Sequence, residues 1–174
     1  MEIDYFDNLT HSIATARLLL QKANREGALI EGLCLYISLI DGLLRLAILY
    51  TRTQKSPTHT YNAEKKLIHQ GDGERTYSEK KIYTAALNEQ IISEESSGKL
   101  LDMHRLRNKA VHRFCISNIS YQDIAKACTQ LDEIYNVIWE KVSFLENGPN
   151  KVRTVKGKRK QEILKRIFRK ILGD

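Results

Sequence analysis

Proline is nearly absent from this 174-residue chain and glycine is sparse: two prolines and nine glycines leave room for long uninterrupted helices. No stretch alternates apolar and polar residues long enough to make a strand, and there is no internal repeat. Three cysteines, Cys34, Cys115 and Cys128, are an odd number without short spacing. That excludes a disulfide frame or a zinc motif and reads as reduced thiols in a cytoplasmic protein. The opening Met1 to Asp7 is acidic and lacks a basic region ahead of an apolar run, so no secretory signal is expected. Gly71 and Gly73 lack the spacing, flanking strand and lysine of a phosphate loop, and no cofactor is expected.

What remains is enough for one domain with a real core. The net charge of +7 is unevenly distributed. Residues 151–174 hold ten Lys or Arg against two acids, net +8, so residues 1–150 sum to about −1. The chain therefore divides into a near-neutral domain, 1–150, and a basic extension, 151–174.

Within the domain the apolar residues recur at helical spacing, which makes the fold class all-α. Ile3, Phe6, Leu9, Ile13, Ala16 and Leu20 mark a first amphipathic helix that Gly27 stops. Residues 28–53 are apolar almost all round, with Glu31, Ser38, Asp41 and Arg45 on one stripe. Such a run is long enough to span a bilayer. Asp41 near its middle opposes that by roughly 2.5–3.5 kcal/mol. Glu31 and Arg45 add to the cost, and a buried central helix is favoured. Ser56-Pro57 ends it, and residues 56–78 form a polar connection with one short helix at 63–70. Ser78 caps a helix through Asn88, Ser93 begins another reaching Phe114, and Asn118 or Ser120 caps a last one, 121–146. On that last helix Ile124, Cys128, Leu131, Ile134, Ile138 and Phe144 mark the buried side.

The chemically loaded stretch is Leu106-Arg107-Asn108-Lys109-Ala110-Val111-His112. On a helical wheel Leu100, Met103, Leu106, Ala110 and Phe114 form an apolar stripe, and Arg107 projects within it. A guanidinium cannot shed its charge there and needs an anion. Asp41 of the central helix is one candidate; a local Asp41–Arg45 pair at i, i+4 competes for it and is favoured on proximity. Asn108 and His112 stack on a different face, near Arg105. A structural ion pair and a surface histidine would explain the same residues without chemistry. His11, His59, His69 and His104 show no spacing that reads as a metal set.

Arg-Asn-x-x-x-His, entered through Ile91-Ile92-Ser93-Glu94 in a helical domain with a long apolar helix early on, resembles the signature of the HEPN superfamily over residues 1–146. The resemblance implies an up-down bundle of four to five helices that forms a homodimer. It also implies a metal-independent endoribonuclease active in stress response, toxin–antitoxin systems or defence. RNA would be the substrate, two motifs would meet in a composite site, and an antitoxin or other regulatory protein would be a partner. Arg107 and His112 would be catalytic, with Asn108 orienting the histidine or the phosphate. Some family members have lost catalysis and bind RNA or protein only. One departure matters: a toxin branch carries a modified tyrosine two positions after the histidine, where this chain has Phe114.

RNA contacts are expected from Arg105 and Lys109, and from the extension through Lys160, Lys165, Arg166 and Arg169. Residues 158–172 set Ile163, Ile167 and Ile171 opposite that charge, as an extra basic helix. Docking on the domain or its dimer partner is the favoured role. Holding RNA phosphates comes next, and a membrane surface last.

Overall fold

A computed structural model describes residues 5–56, 64–69 and 77–147. The helices are α1 Tyr5–Glu26, α2 Leu29–Lys55, α3 Lys65–Ile68, α4 Glu79–Asn88, α5 Glu94–Arg113 and α6 Tyr121–Asn147, with a 3₁₀ turn at Phe114–Ile116. Among the described residues there is no strand. The expected basic helix, with Lys160, Lys165, Arg166 and Arg169, lies outside them.

Helix bounds follow local chemistry. Gly27 adopts φ +69°, a left-handed conformation open to glycine, and separates α1 from α2. Ser93 caps α5 by accepting from the Ser96 amide. At the start of α6, Asp123 Oδ2 accepts from the Ser120 amide while Ser120 Oγ accepts from the Asp123 amide, a reciprocal capping box. Ser78 precedes α4, yet its side chain makes no capping bond.

Helix α2 is the centre. It packs against α1, α4, α5 and α6, and is buried through Leu33, Ile37, Ile40, Leu44, Ala47 and Ile48. By length and composition it could cross a membrane, but 72% of its most apolar window is buried within the protein. Contacts on most sides explain why an apolar helix is compatible with a soluble protein. A Cβ on Gly42 would come within 2.9 Å of Ile13, so α1 and α2 touch closely there.

Two sequence expectations fail on exposure. Phe144 is 67% exposed, because the buried stripe of α6 runs through Ile124, Ala127, Leu131, Ile138 and Val142. Phe114 is 41% exposed, because α5 ends one residue earlier and the 3₁₀ turn rotates the chain out of helical register.

The C-terminal ends of α2 and α4 are joined by charge. Arg52 pairs with Glu64 at 2.9 Å and Glu89 at 3.2 Å, and Lys55 pairs with Glu89 at 2.6 Å. Lys55, and then Arg52, hold the Glu89 carboxyl below its ordinary value of 4.5. A carboxylate depressed on folding adds stability above its unfolded value and loses it as pH falls through the folded one. The stability gap between wild type and Glu89→Gln, read by urea denaturation, is therefore expected to close as pH drops below 4.5.

Candidate functional site

The second half of α5 carries the motif, and its backbone neighbours α2, α4 and α6 position it. Arg107 is held by Glu79, the first residue of α4, with Nη2 2.7 Å from Oε1. The other Glu79 oxygen, Oε2, lies 3.0 Å from His104 Nδ1. His104 in turn sits one helical turn before Asn108, whose Nδ2 is 3.2 Å from His104 Nε2.

One tautomer of the neutral imidazole satisfies these contacts together. With the proton on Nδ1, His104 donates to Glu79 and its Nε2 accepts from Asn108. Arg107 Nη2, 3.2 Å from the same Nδ1, is then a close neighbour and not a donor to it. The reverse tautomer would set two lone pairs against each other across the Glu79–His104 contact. Glu79 thus accepts from both Arg107 and His104, and Asn108 is fixed by the same network.

Beside this partly exposed pair lie buried polar groups. The Tyr83 hydroxyl, Asp41 Oδ1 and Arg107 Nε are buried with no hydrogen-bond partner among the described residues. Burial, then the carboxylates of Asp41 and Glu79, push the Tyr83 hydroxyl well above its ordinary range. Burial raises the Cys34 thiol, and the Arg107 charge partly offsets it.

Of the two partners weighed for Asp41, the favoured Arg45 is the one it takes, and Asp41 is not the partner of Arg107. Asp41 accepts from Arg45 Nε at 2.6 Å, the local i, i+4 pair, and Arg107 takes Glu79. Arg45 is further committed to the carbonyls of Leu67 (2.6 Å) and Tyr77 (3.2 Å). Burial, only partly countered by Arg45, raises the Asp41 carboxyl above its ordinary value.

His112 is exposed and makes no hydrogen bond or ion pair with another described residue. It lies about 140° around the helix from Arg107 and about 7.5 Å along it. The two do not converge through the Glu79–His104–Asn108 network. Close to His112 in the chain are exposed apolar residues: Val111 at 46%, Phe114 at 41% and Ile116 at 85%. Of the basic candidates nearby, Lys109 is exposed, and Arg105 is exposed while pairing with Asp102 at 2.8 Å.

Glu79 and His104 are additions to the sequence expectation. His104, Asn108 and His112 follow at i, i+4 and i+8, a pattern visible in the sequence. Glu79 stands 28 residues before Arg107 and leaves no local signal. A cleft of about 310 Å³ opens elsewhere, between α1, α2 and residues 68–69, lined in part by Ser12, Ser38, Asp41 and Arg45. No cluster of three or more metal-ligating side chains occurs among the described residues. No protein-family model matches this chain, and comparison with curated proteins and with solved structures finds no match.

Proposed function

We propose that this protein is an endoribonuclease of HEPN type, an up-down helical bundle that works as a homodimer in the cytoplasm in stress response or defence. The observation that carries the reading is the division of labour on α5. Arg107 and Asn108 belong to one ordered network, while His112, on the Asn108 face but about 140° round the helix from Arg107, is exposed and bonded to no described residue. Exposed Val111, Phe114 and Ile116, within four residues of His112 in the chain, suit burial against a second copy. That contact would bring the Arg107 of one subunit towards the His112 of the other.

The residue types fit the chemistry. An imidazole can serve as a general base, so His112 can take the proton from a ribose 2′-OH. The 2′-oxygen then attacks the adjacent phosphorus, the bond to O5′ breaks, and that oxygen takes a proton from water as it leaves, while His112 returns its proton to solvent. Arg107 can hold the phosphate and offset the charge that builds up on its oxygens. Asn108 orients the phosphate or the histidine. The products are a 2′,3′-cyclic phosphate and a 5′-OH, and DNA is spared because it lacks the nucleophile.

The test is incubation of the purified full chain with RNA in EDTA, followed by end-group analysis. Cleavage leaving cyclic-phosphate ends is the expected outcome. Intact RNA together with salt-dependent binding would instead make the chain a non-catalytic RNA-binding module. Neither binding nor cleavage would leave a protein-interaction module.

A further inference from the structure

We infer that Glu79 is an internal competitor at the phosphate site: its carboxylate holds the position on Arg107 Nη2 that a backbone phosphate of a bound polynucleotide takes. The inference rests on the reading of Arg107 as the phosphate-holding residue. It adds that the resting chain keeps that residue occupied.

Three features of the contact support exchange. The Glu79–Arg107 pair is single-pronged, Oε1 to Nη2 at 2.7 Å, whereas a phosphate can take two guanidinium nitrogens at once. Both side chains remain partly in water, at 25% for Arg107 and 33% for Glu79. An ion pair so exposed is worth little and is readily traded. Glu79 also keeps favourable surroundings after release. It lies in the first turn of α4, where the helix dipole favours a negative charge, and Oε2 retains the His104 contact at 3.0 Å.

The alternative, a purely structural pair, would leave anion affinity unchanged or weakened once Glu79 is neutralised. Competition predicts the opposite. In Glu79→Gln the amide oxygen can still accept from His104 Nδ1, while the amide nitrogen, itself a donor, replaces Oε1 opposite Arg107 Nη2 and leaves the guanidinium without its carboxylate.

The experiment titrates the full chain with a short fluorescent 2′-O-methyl oligoribonucleotide, which cannot be cleaved. Glu79→Gln is expected to tighten binding up to about fivefold. Glu79→Asp, which withdraws the carboxylate by one methylene, should fall between it and wild type. Adding Arg107→Gln to Glu79→Gln should abolish the gain. Glu95→Gln, which neutralises an exposed carboxylate paired with Lys99 near the start of the same α5, should change affinity less than twofold. The inference is overturned by unchanged or weaker binding in Glu79→Gln, or by no binding in either protein. An equal gain in Glu95→Gln, or a gain that survives loss of Arg107, overturns it too. Cleavage of ordinary RNA reads out separately. A chain that gains affinity as described yet leaves RNA intact loses the nuclease reading and keeps this one, and the reverse pattern does the opposite.

Discussion

His112→Ala is expected to lower RNA cleavage by about 10²–10⁴-fold, the usual contribution of a positioned acid–base group. Thermal stability should barely change, because His112 is exposed and bonded to no described residue. Arg107→Ala should lose about 10²–10³-fold through the missing transition-state charge. It carries a second cost, since Glu79 loses a charged partner 2.7 Å away. The paired change should be far from additive, because both residues serve one step. Mixing the two inactive proteins separates a shared site from a private one. If each site draws Arg107 from one subunit and His112 from the other, a mixed dimer contains one intact site. Equal mixing then restores up to about a quarter of wild-type activity. If each chain holds its own site, mixing restores nothing. Initial rates on a fluorescent RNA measure both outcomes, and full activity in either single variant would remove these residues from the mechanism.

Such a site was partly legible because the sequence writes helices in local code. Gly27, Ser56-Pro57, Ser93 and Ser120 each mark a helix end through chemistry within a few residues, and the observed ends fall beside them. The Asp41–Arg45 pair was legible for the same reason, being one turn apart on one helix. Glu79 was not, because its partners His104 and Arg107 lie on another helix, and only the packing of α4 on α5 brings them together. His104 therefore looked idle when read alone. Its partner Asn108 is local, but its orienting carboxylate is not. Phe114 and Phe144 show a different limit. Periodicity predicts which face a side chain shares, but an early helix end at Arg113, or a buried stripe that passes through Val142 and not Phe144, decides whether that face is covered. Exposure of Phe114 beside His112 is consequently information the wheel could not supply, and it bears directly on where a second copy would sit.

Arg45→Met is expected to cost about 3–5 kcal/mol of stability, as when one partner of a mostly buried ion pair is removed. Arg45 and Asp41 are 15% and 19% exposed, and Asp41 Oδ1 already lacks a partner among the described residues. Removing the guanidinium takes away the one cation that counters the burial of Asp41, while Glu79 still repels it. Arg45 also donates to the carbonyls of Leu67 and Tyr77, so it ties α2 to residues on both sides of 70–76. Urea denaturation should show the loss, and pH should modulate it with a definite sign. Asp41 is raised on folding, so its contribution is fully present below its ordinary value and is lost as pH rises through the folded one. Without Arg45 that rise is larger, and the gap between variant and wild type should narrow on acidification. Adding Asp41→Leu to Arg45→Met should recover much of the loss, since an apolar pair of similar volume avoids the stranded carboxylate. Recovery should stay incomplete because the Leu67 carbonyl loses the donor that Arg45 supplies. Tyr77 is two residues before Glu79, so the same change loosens the entry to α4. Arg45→Met should therefore also weaken the hold of Glu79 on Arg107 and tighten oligonucleotide binding, whereas an Arg45 that serves stability alone would leave that affinity where it was.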